Sequence, residues 1–271
     1  MQGFEAGGVD YVTKPFNSSE LLKRIETHIT LRKVSKELKA SNESYKELVH
    51  ILCHDLGNPV YAVQGLLELG AEDKDFLLEN IEIMRTAIFN ATEIIEVIKK
   101  MRALEESKII IKTEFLELKP LIEEGLKILD QKIKKKDLKI NMNVPEDIQI
   151  KTEKTTFINS VLNNILSNAV KFSNKNSEIN ISAKKENKHV LFSIRDYGIG
   201  MPEKIRNNIF KINTATTRRG TDNEQGTGFG MPLVKKFIEI YEGSIEINSW
   251  EKGVSNEQSG TEVCITLKSE N

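Results

Sequence analysis

The stretch Leu52-Cys53-His54-Asp55-Leu56-Gly57-Asn58-Pro59-Val60 gathers an imidazole, a carboxylate and an amide within a few residues. On a helix, His54 and Asn58 lie one turn apart on the same face, with Asp55 beside them. A nitrogen nucleophile, a carboxylate to orient it and an amide one turn on make a compact reaction centre. The same stretch offends helical preference. Gly57 costs about 1 kcal/mol against Ala in a helix interior and Pro59 about 3 kcal/mol. Pro59 also sets its ring against the carbonyl of Asp55. Local rules broken next to a His-Asp pair mark a candidate functional site. A histidine on a helix is more often a polar surface residue, so the weight of the motif rests on its companions downstream.

Those companions are four further clusters, all in the second half of the chain. In Asn163-Asn164-Ile165-Leu166-Ser167-Asn168-Ala169-Val170-Lys171-Phe172, the side chains of Asn164, Asn168 and Lys171 share a helix face at i, i+4 and i+7. Two amides and an ammonium suit phosphates and an oxygen-ligated Mg²⁺. Asp196-Tyr197-Gly198-Ile199-Gly200 comes after a strand-like run. A carboxylate there can accept from an adenine amino group, and Gly198 and Gly200 let backbone approach closely. Gly226-Thr227-Gly228-Phe229-Gly230 precedes a helical pattern, so its N–H groups can cradle phosphates at a helix start. It is neither a Walker loop nor a Rossmann fingerprint. Between the two glycine clusters, residues 211–225 are polar, basic and glycine-punctuated, as a covering loop should be; Lys211, Arg218 and Arg219 supply cations.

The elements that position these groups are given by periodicity. Apolar residues keep helical spacing from about Ser19 to Leu69, and Leu31, Val34, Leu38, Ser41, Tyr45, Leu48 and Leu52 step by three and four as a heptad seam. Gly70 to Asp75 is a short break. A second helix runs through Leu77, Ile81, Met84, Ile88, Ala91, Ile95 and Ile98. One helical hairpin cannot cover both apolar stripes, whereas two copies packed as a four-helix bundle can, so a homodimer is expected. Beyond Ser107 the texture changes. Strands are expected at Ile109–Ile111, Glu114–Leu118, Leu138–Val144, Ile148–Ile150, Glu178–Lys185, Val190–Asp196, Gly243–Ser249 and Thr261–Leu267. Helices are expected from Pro120, over Glu153–Phe172 and over Gly230–Tyr241, with His189 in a turn. The fold class is thus an all-α hairpin followed by an α/β two-layer sandwich.

Composition narrows the classes. Acidic and basic residues nearly cancel over the 271 residues, at a formal net charge of −1, which argues against a nucleic-acid or membrane footprint. The basic run Lys132–Lys139 reads as a solvated helix end. Cys53 and Cys264 stand in apolar patterns as small buried residues of a reducing compartment. No apolar run reaches about 18 residues and no signal-peptide pattern opens the chain, so a cytoplasmic location without membrane insertion is expected.

Taken in order, these motifs resemble those of sensor histidine kinases with a gyrase-like ATP-binding domain, over roughly residues 42–268. The resemblance implies that His54 begins the H box, that Asn164, Asn168 and Lys171 form the N box, and that Asp196, Gly198 and Gly200 form the first glycine box. Phe210 matches the F box, and Gly226, Thr227, Gly228 and Gly230 the second glycine box. Departures are Gly57 where a basic residue is common, Phe229 and Met231 where Leu is usual, Lys211 where Arg is frequent, and Thr152 where Asp often stands. The implied activity is ATP- and Mg²⁺-dependent phosphorylation of His54, transfer to an aspartate of a response-regulator receiver, and dephosphorylation of that regulator with Asn58. Asn168 would hold the Mg²⁺, and Lys171, Lys211 and Arg218 or Arg219 would offset phosphate charge.

Residues 1–29, with Asp10-Tyr11-Val12-Thr13-Lys14-Pro15-Phe16, resemble the end of a receiver domain. The expected domains are therefore 1–29 (receiver remnant), 30–44 (coiled-coil linker), 45–107 (dimerisation and phosphotransfer) and 108–271 (ATP binding), with a hinge near Ser107–Thr113. Two alternatives are a gyrase-type ATPase without phosphotransfer and a dimeric scaffold that holds ATP only as a ligand. In the first, the resemblance implies a catalytic glutamate where this chain has Asn164, and an amide cannot act as a base.

Overall fold

The structure, a computed structural model, describes residues 17–50, 56–105, 111–211, 218–222, 224, 228–253 and 258–269. His54, Asp55, Cys53, Gly226, Thr227 and the receiver-like residues 1–16 lie outside them. The chain divides into two compact units, up to His50 and from Ile51 onward.

In the first unit, α1 (Ser18–His50) is a single long helix. Leu31, Val34 and Leu38 of the heptad seam are exposed along it.

The second unit opens with the hairpin α2 (Gly57–Leu69) and α3 (Lys74–Glu105). Pro59 stands in the first turn of α2, where a helix leaves N–H groups without intrahelical partners, so the missing donor costs little. The expected break is present at Gly70–Asp73: Asp73 caps α3, its carboxylate accepting from the N–H groups of Asp75 and Phe76 at 3.0 Å each. Met84, Ala91, Ile94 and Ile98 of α3 are buried, but α2 has no buried residue. Val60, Leu67, Ile88 and Ile95 remain exposed and line an open apolar groove of about 590 Å³ between the two helices.

Next come β1 (Glu114–Glu117), α4 (Leu118–Ile128), α5 (Asp130–Lys135), β2 (Lys139–Asn143) and β3 (Gln149–Thr152). Ile111 is in no strand, and α4 begins at Leu118, two residues before Pro120. The long helix expected over Glu153–Phe172 is composite: α6 (Lys154–Thr156), a π-helical stretch Phe157–Leu162, and α7 (Asn163–Phe172). The rest is β4 (Glu178–Glu186), β5 (His189–Asp196), the short α8 (Glu203–Arg206), α9 (Gly230–Ile240), β6 (Ser244–Trp250) and β7 (Gly260–Lys268). His189 is not in the turn but opens β5, opposite Glu186.

The main sheet has the order β2-β4-β5-β7-β6, with β2 parallel to β4 and the other pairs antiparallel; β1 and β3 form a separate two-stranded ribbon. Strand alternation gives the sheet one apolar face. Ile179, Ile181, Val190, Phe192, Ile194, Ile265 and Leu267 pack there with Ile122, Phe157, Leu162, Ile165, Val234 and Phe237 from the helices in one core. Asp196 ends the inward row Val190–Phe192–Ile194. The period of two that buries its neighbours therefore buries the carboxylate as well.

Candidate functional site

α7, the end of β5 and the start of α9 enclose a cavity in two compartments. The larger, about 540 Å³, is walled by Asn164, Asn168, Lys171, Arg218, Gly228 and Gly230 among others. The smaller, about 50 Å³, is a slot lined by Ile165, Ala169, Ile194, Ile247 and Val263, with Asp196 in its wall. Asn168, Phe172, Ile209 and Met231 border both. An apolar slot with one carboxylate, opening onto a vestibule of amides and cations, suits a planar heterocycle bearing an anionic tail.

Asp196 is 6% exposed. Its Oδ1 accepts from Gly198 N–H at 2.9 Å and Thr261 N–H at 3.2 Å. Burial pushes its pKa up to about 6, against the lowering effect of those two donors and of the Arg195 charge. Gly198 and Gly200 serve backbone packing. A Cβ on Gly198 would lie 2.0 Å from the Phe172 carbonyl oxygen; one on Gly200, at φ +62°, would lie 2.0 Å from that of Trp250. The Gly200 carbonyl accepts from Arg218 Nη1 at 2.8 Å, which brings that guanidinium back over the site.

The π-helical stretch ends at Leu162, two residues before Asn164, and such bulges are frequent at functional sites. The Asn164 amide N–H₂ donates to the Ser160 carbonyl at 2.7 Å. Its Oδ1 faces Gly230, where a Cβ would stand 2.5 Å away. Burial holds the Lys171 ammonium below the usual lysine range, with Glu224 opposing and Lys136 adding to the effect.

Not every expected residue meets the cavity. Phe210 packs against the core beneath the Lys235 ammonium, 5.4 Å from its ring centroid. Lys211 and Arg219 are exposed and form no part of the cavity wall. Asn58 is exposed in the first turn of α2. Cys264 is half-buried, its thiol raised to about 11, mainly by burial and then by the charges of Glu262 and Glu246.

The reading of Lys132–Lys139 as solvated fails at Lys136, which is 2% exposed and part of the cavity wall. Helix α5 ends at Lys135, and Asp137 takes φ +50°, so the chain turns and carries Lys136 inward. Thr221 and Glu224, its partners, also escaped sequence reasoning, as did Phe89 and Glu93 of α3, which border the larger compartment. A run of three lysines contains no signal that separates the inner one from its neighbours.

Residues 153–271 match the family described as histidine kinase-, DNA gyrase B- and HSP90-like ATPase. The sensor protein KdpD of Clostridium acetobutylicum is 31% identical over 206 residues, 73% of this chain and 22% of that protein. Over these residues the chain is similar to sensor histidine kinases. The adaptive-response sensory kinase SasA of Gloeothece citriformis is 27% identical over 249 residues, 86% of this chain and 61% of its own length. The chain thus spans less than two thirds of these curated relatives. Among solved structures, the Acinetobacter baumannii histidine kinase AdeS superposes with a TM-score of 0.61 at 18% identity, covering 80% of this chain and 98% of its own. The histidine kinase ThkA, solved in complex with the response regulator TrrA, gives 0.61 at 20% identity over 96% of this chain and 68% of its own. At such identities the likeness establishes the fold: a helical region followed by an α/β sheet domain. Among the described residues, no helix is long and apolar enough to cross a membrane.

Proposed function

We propose that the chain is an ATP-dependent protein-histidine kinase acting as a homodimer. The observation that carries the reading is the two-compartment cavity. Adenine would enter the slot, its amino group donating to Asp196, and the phosphates would lie in the vestibule near Lys171 and Arg218. Asn168 and the Oδ1 of Asn164 give amide oxygens of the kind Mg²⁺ takes, and the Gly230 cradle leaves room beside them. When bound, Mg²⁺ would offset phosphate charge.

Asp55 would orient the His54 ring so that one nitrogen attacks the γ-phosphorus in line. The bond to the β-phosphate oxygen breaks, and ADP leaves. The phosphoryl group then passes to an aspartate of a receiver domain, as the partner of ThkA suggests. Asn58, four residues after His54 in sequence and exposed, would hold a water for attack on that phosphoaspartate. The expected domains, with phosphotransfer in 45–107 and ATP binding in 108–271, belong to the same reading.

Incubation with radiolabelled ATP tests it. The label should be acid-labile and alkali-stable, as phosphohistidine is. His54→Ala should abolish it while nucleotide binding survives. Asn58→Ala should keep the label but slow its loss from a phosphorylated regulator by about 10-fold, the scale of losing a positioning group. Undiminished labelling of His54→Ala would sink the kinase assignment.

A further inference from the structure

Lys136 is the most deeply buried charge beside the vestibule, and lysine is almost never so buried unless paired. Its Nζ donates to the carbonyls of Val170 at 3.1 Å and Lys171 at 2.9 Å, the C-terminal end of α7, where a cation also meets the negative pole of the helix. It donates to Thr221 Oγ1 at 2.8 Å and pairs with Glu224 Oε1 at 2.8 Å. One ammonium thus joins α7 to Thr221 and Glu224, in the stretch of residues 218–222 and 224.

Those residues are seated by further bonds. Thr221 N–H donates to the Lys171 carbonyl at 3.1 Å, and Thr221 Oγ1 donates to the Ser173 carbonyl at 2.7 Å. Gly220 N–H donates to the Glu224 carbonyl, and Asp222 N–H to Glu224 Oε2, each at 2.8 Å. A Cβ on Gly220 would come 2.3 Å from Glu224 Oε2 and 2.6 Å from Lys171 Cγ, so the segment is closely packed. Burial would raise the Glu224 carboxyl, yet its bonds from Lys136 and Asp222, with the Lys136 charge, hold it below its ordinary value.

We propose that Lys136 is a positioning residue for the nucleotide phosphates: it fastens residues 218–222 and 224 to the end of α7 and so sets where Arg218 and Lys171 stand in the vestibule. This rests on the nucleotide reading of the cavity. Lys136 acts through its neighbours, because its donors are committed to two carbonyls, a hydroxyl and a carboxylate. Arg218 is three residues before Thr221 on the pinned segment. Lys171 presents its ammonium to the vestibule while its own carbonyl is held from behind.

The test compares ATP with adenosine by titration calorimetry on the full chain. Adenosine occupies only the slot, so it checks both the fold and the adenine reading. Lys136→Met should weaken ATP by about tenfold or more, the cost of misplacing binding groups, and adenosine by less than about twofold. Thr221→Val keeps shape and charge but removes the hydroxyl link, and should weaken ATP several-fold with adenosine unchanged. The double variant should be no worse than Lys136→Met alone, since both act through one link. Equal losses of adenosine and ATP would overturn the proposal, as would unchanged ATP affinity in Thr221→Val or losses that multiply in the double variant. If Lys136→Met does not fold, Thr221→Val decides alone. Should the wild-type chain bind neither ligand, the nucleotide reading itself fails.

Discussion

At the scale of single residues, Asp196 carries opposed demands. Its place at the end of an inward apolar row gives the slot a lone carboxylate, and the same burial lifts its pKa from 3.8 to about 6. Below pH 3.8 the group is protonated in both folded and unfolded chains and has no effect. Between about pH 4 and 6 the folded chain keeps a proton that the unfolded chain releases, so stability falls as pH rises through that window. Above about pH 6 the cost is constant, at most about 3 kcal/mol. Asp196→Asn keeps an acceptor for Gly198 and Thr261 while removing the charge. It should raise Tm by about 5 °C at about pH 7.5, with roughly half that gain at about pH 5. The amide also adds a donor opposite the adenine amino group, so preference for ATP over GTP should shrink. Differential scanning calorimetry at the two pH values, with paired nucleotide titrations, checks both halves. Identical Tm at both pH values would show that ionised Asp196 imposes no cost on the fold.

Elements, unlike single groups, are legible where their pattern is local. The alternation Val190, Phe192, Ile194, Asp196 announces both strand β5 and the inward direction of its last carboxylate. The i, i+4, i+7 spacing of Asn164, Asn168 and Lys171 puts them on one face by helix geometry alone. What is not local is not legible. β2 pairs in parallel with β4, a strand far along the chain, and nothing within Lys139–Asn143 names that partner. The π stretch is equally silent, because Phe157–Leu162 has the apolar periodicity of an ordinary helix. Its position matters, since it delivers Asn164 to Gly230 at the start of α9. Gly230→Ala should therefore move the Asn164 amide while leaving the core intact. Mg²⁺-ATP affinity should fall by about tenfold, the scale of a displaced positioning group, with the Tm of the ligand-free protein changed by less than about 2 °C. Calorimetric titration checks it; unchanged affinity would mean that Asn164 has no part in holding the metal or the phosphates.

For the molecule as a whole, the uncovered surface is the informative part. The α/β part closes its own core, whereas α2 has no buried residue. The groove between α2 and α3 is almost wholly apolar, walled by Val60, Val63, Leu67, Ile88, Ala91 and Ile95, with Ile88 57% exposed. Leaving so much aliphatic surface in water is unfavourable, at about 25 cal/mol per Å². A second copy would offer the same two stripes, so a four-helix bundle would cover both chains at once. Ile88→Glu sets a carboxylate in the middle of that seam, and burying an unpaired charge costs several kcal/mol. The dimer dissociation constant should rise by about 100-fold or more, each 1.4 kcal/mol being tenfold. Ile88→Val, which keeps the apolar character, should change it little. Because none of the groove residues lines the cavity, nucleotide affinity should hold in the monomeric variant. Light scattering across a dilution series measures the first quantity and calorimetry the second. A wild-type chain that stays monomeric at every concentration, or an Ile88→Glu variant as dimeric as the parent, would show that something other than a second copy covers the groove.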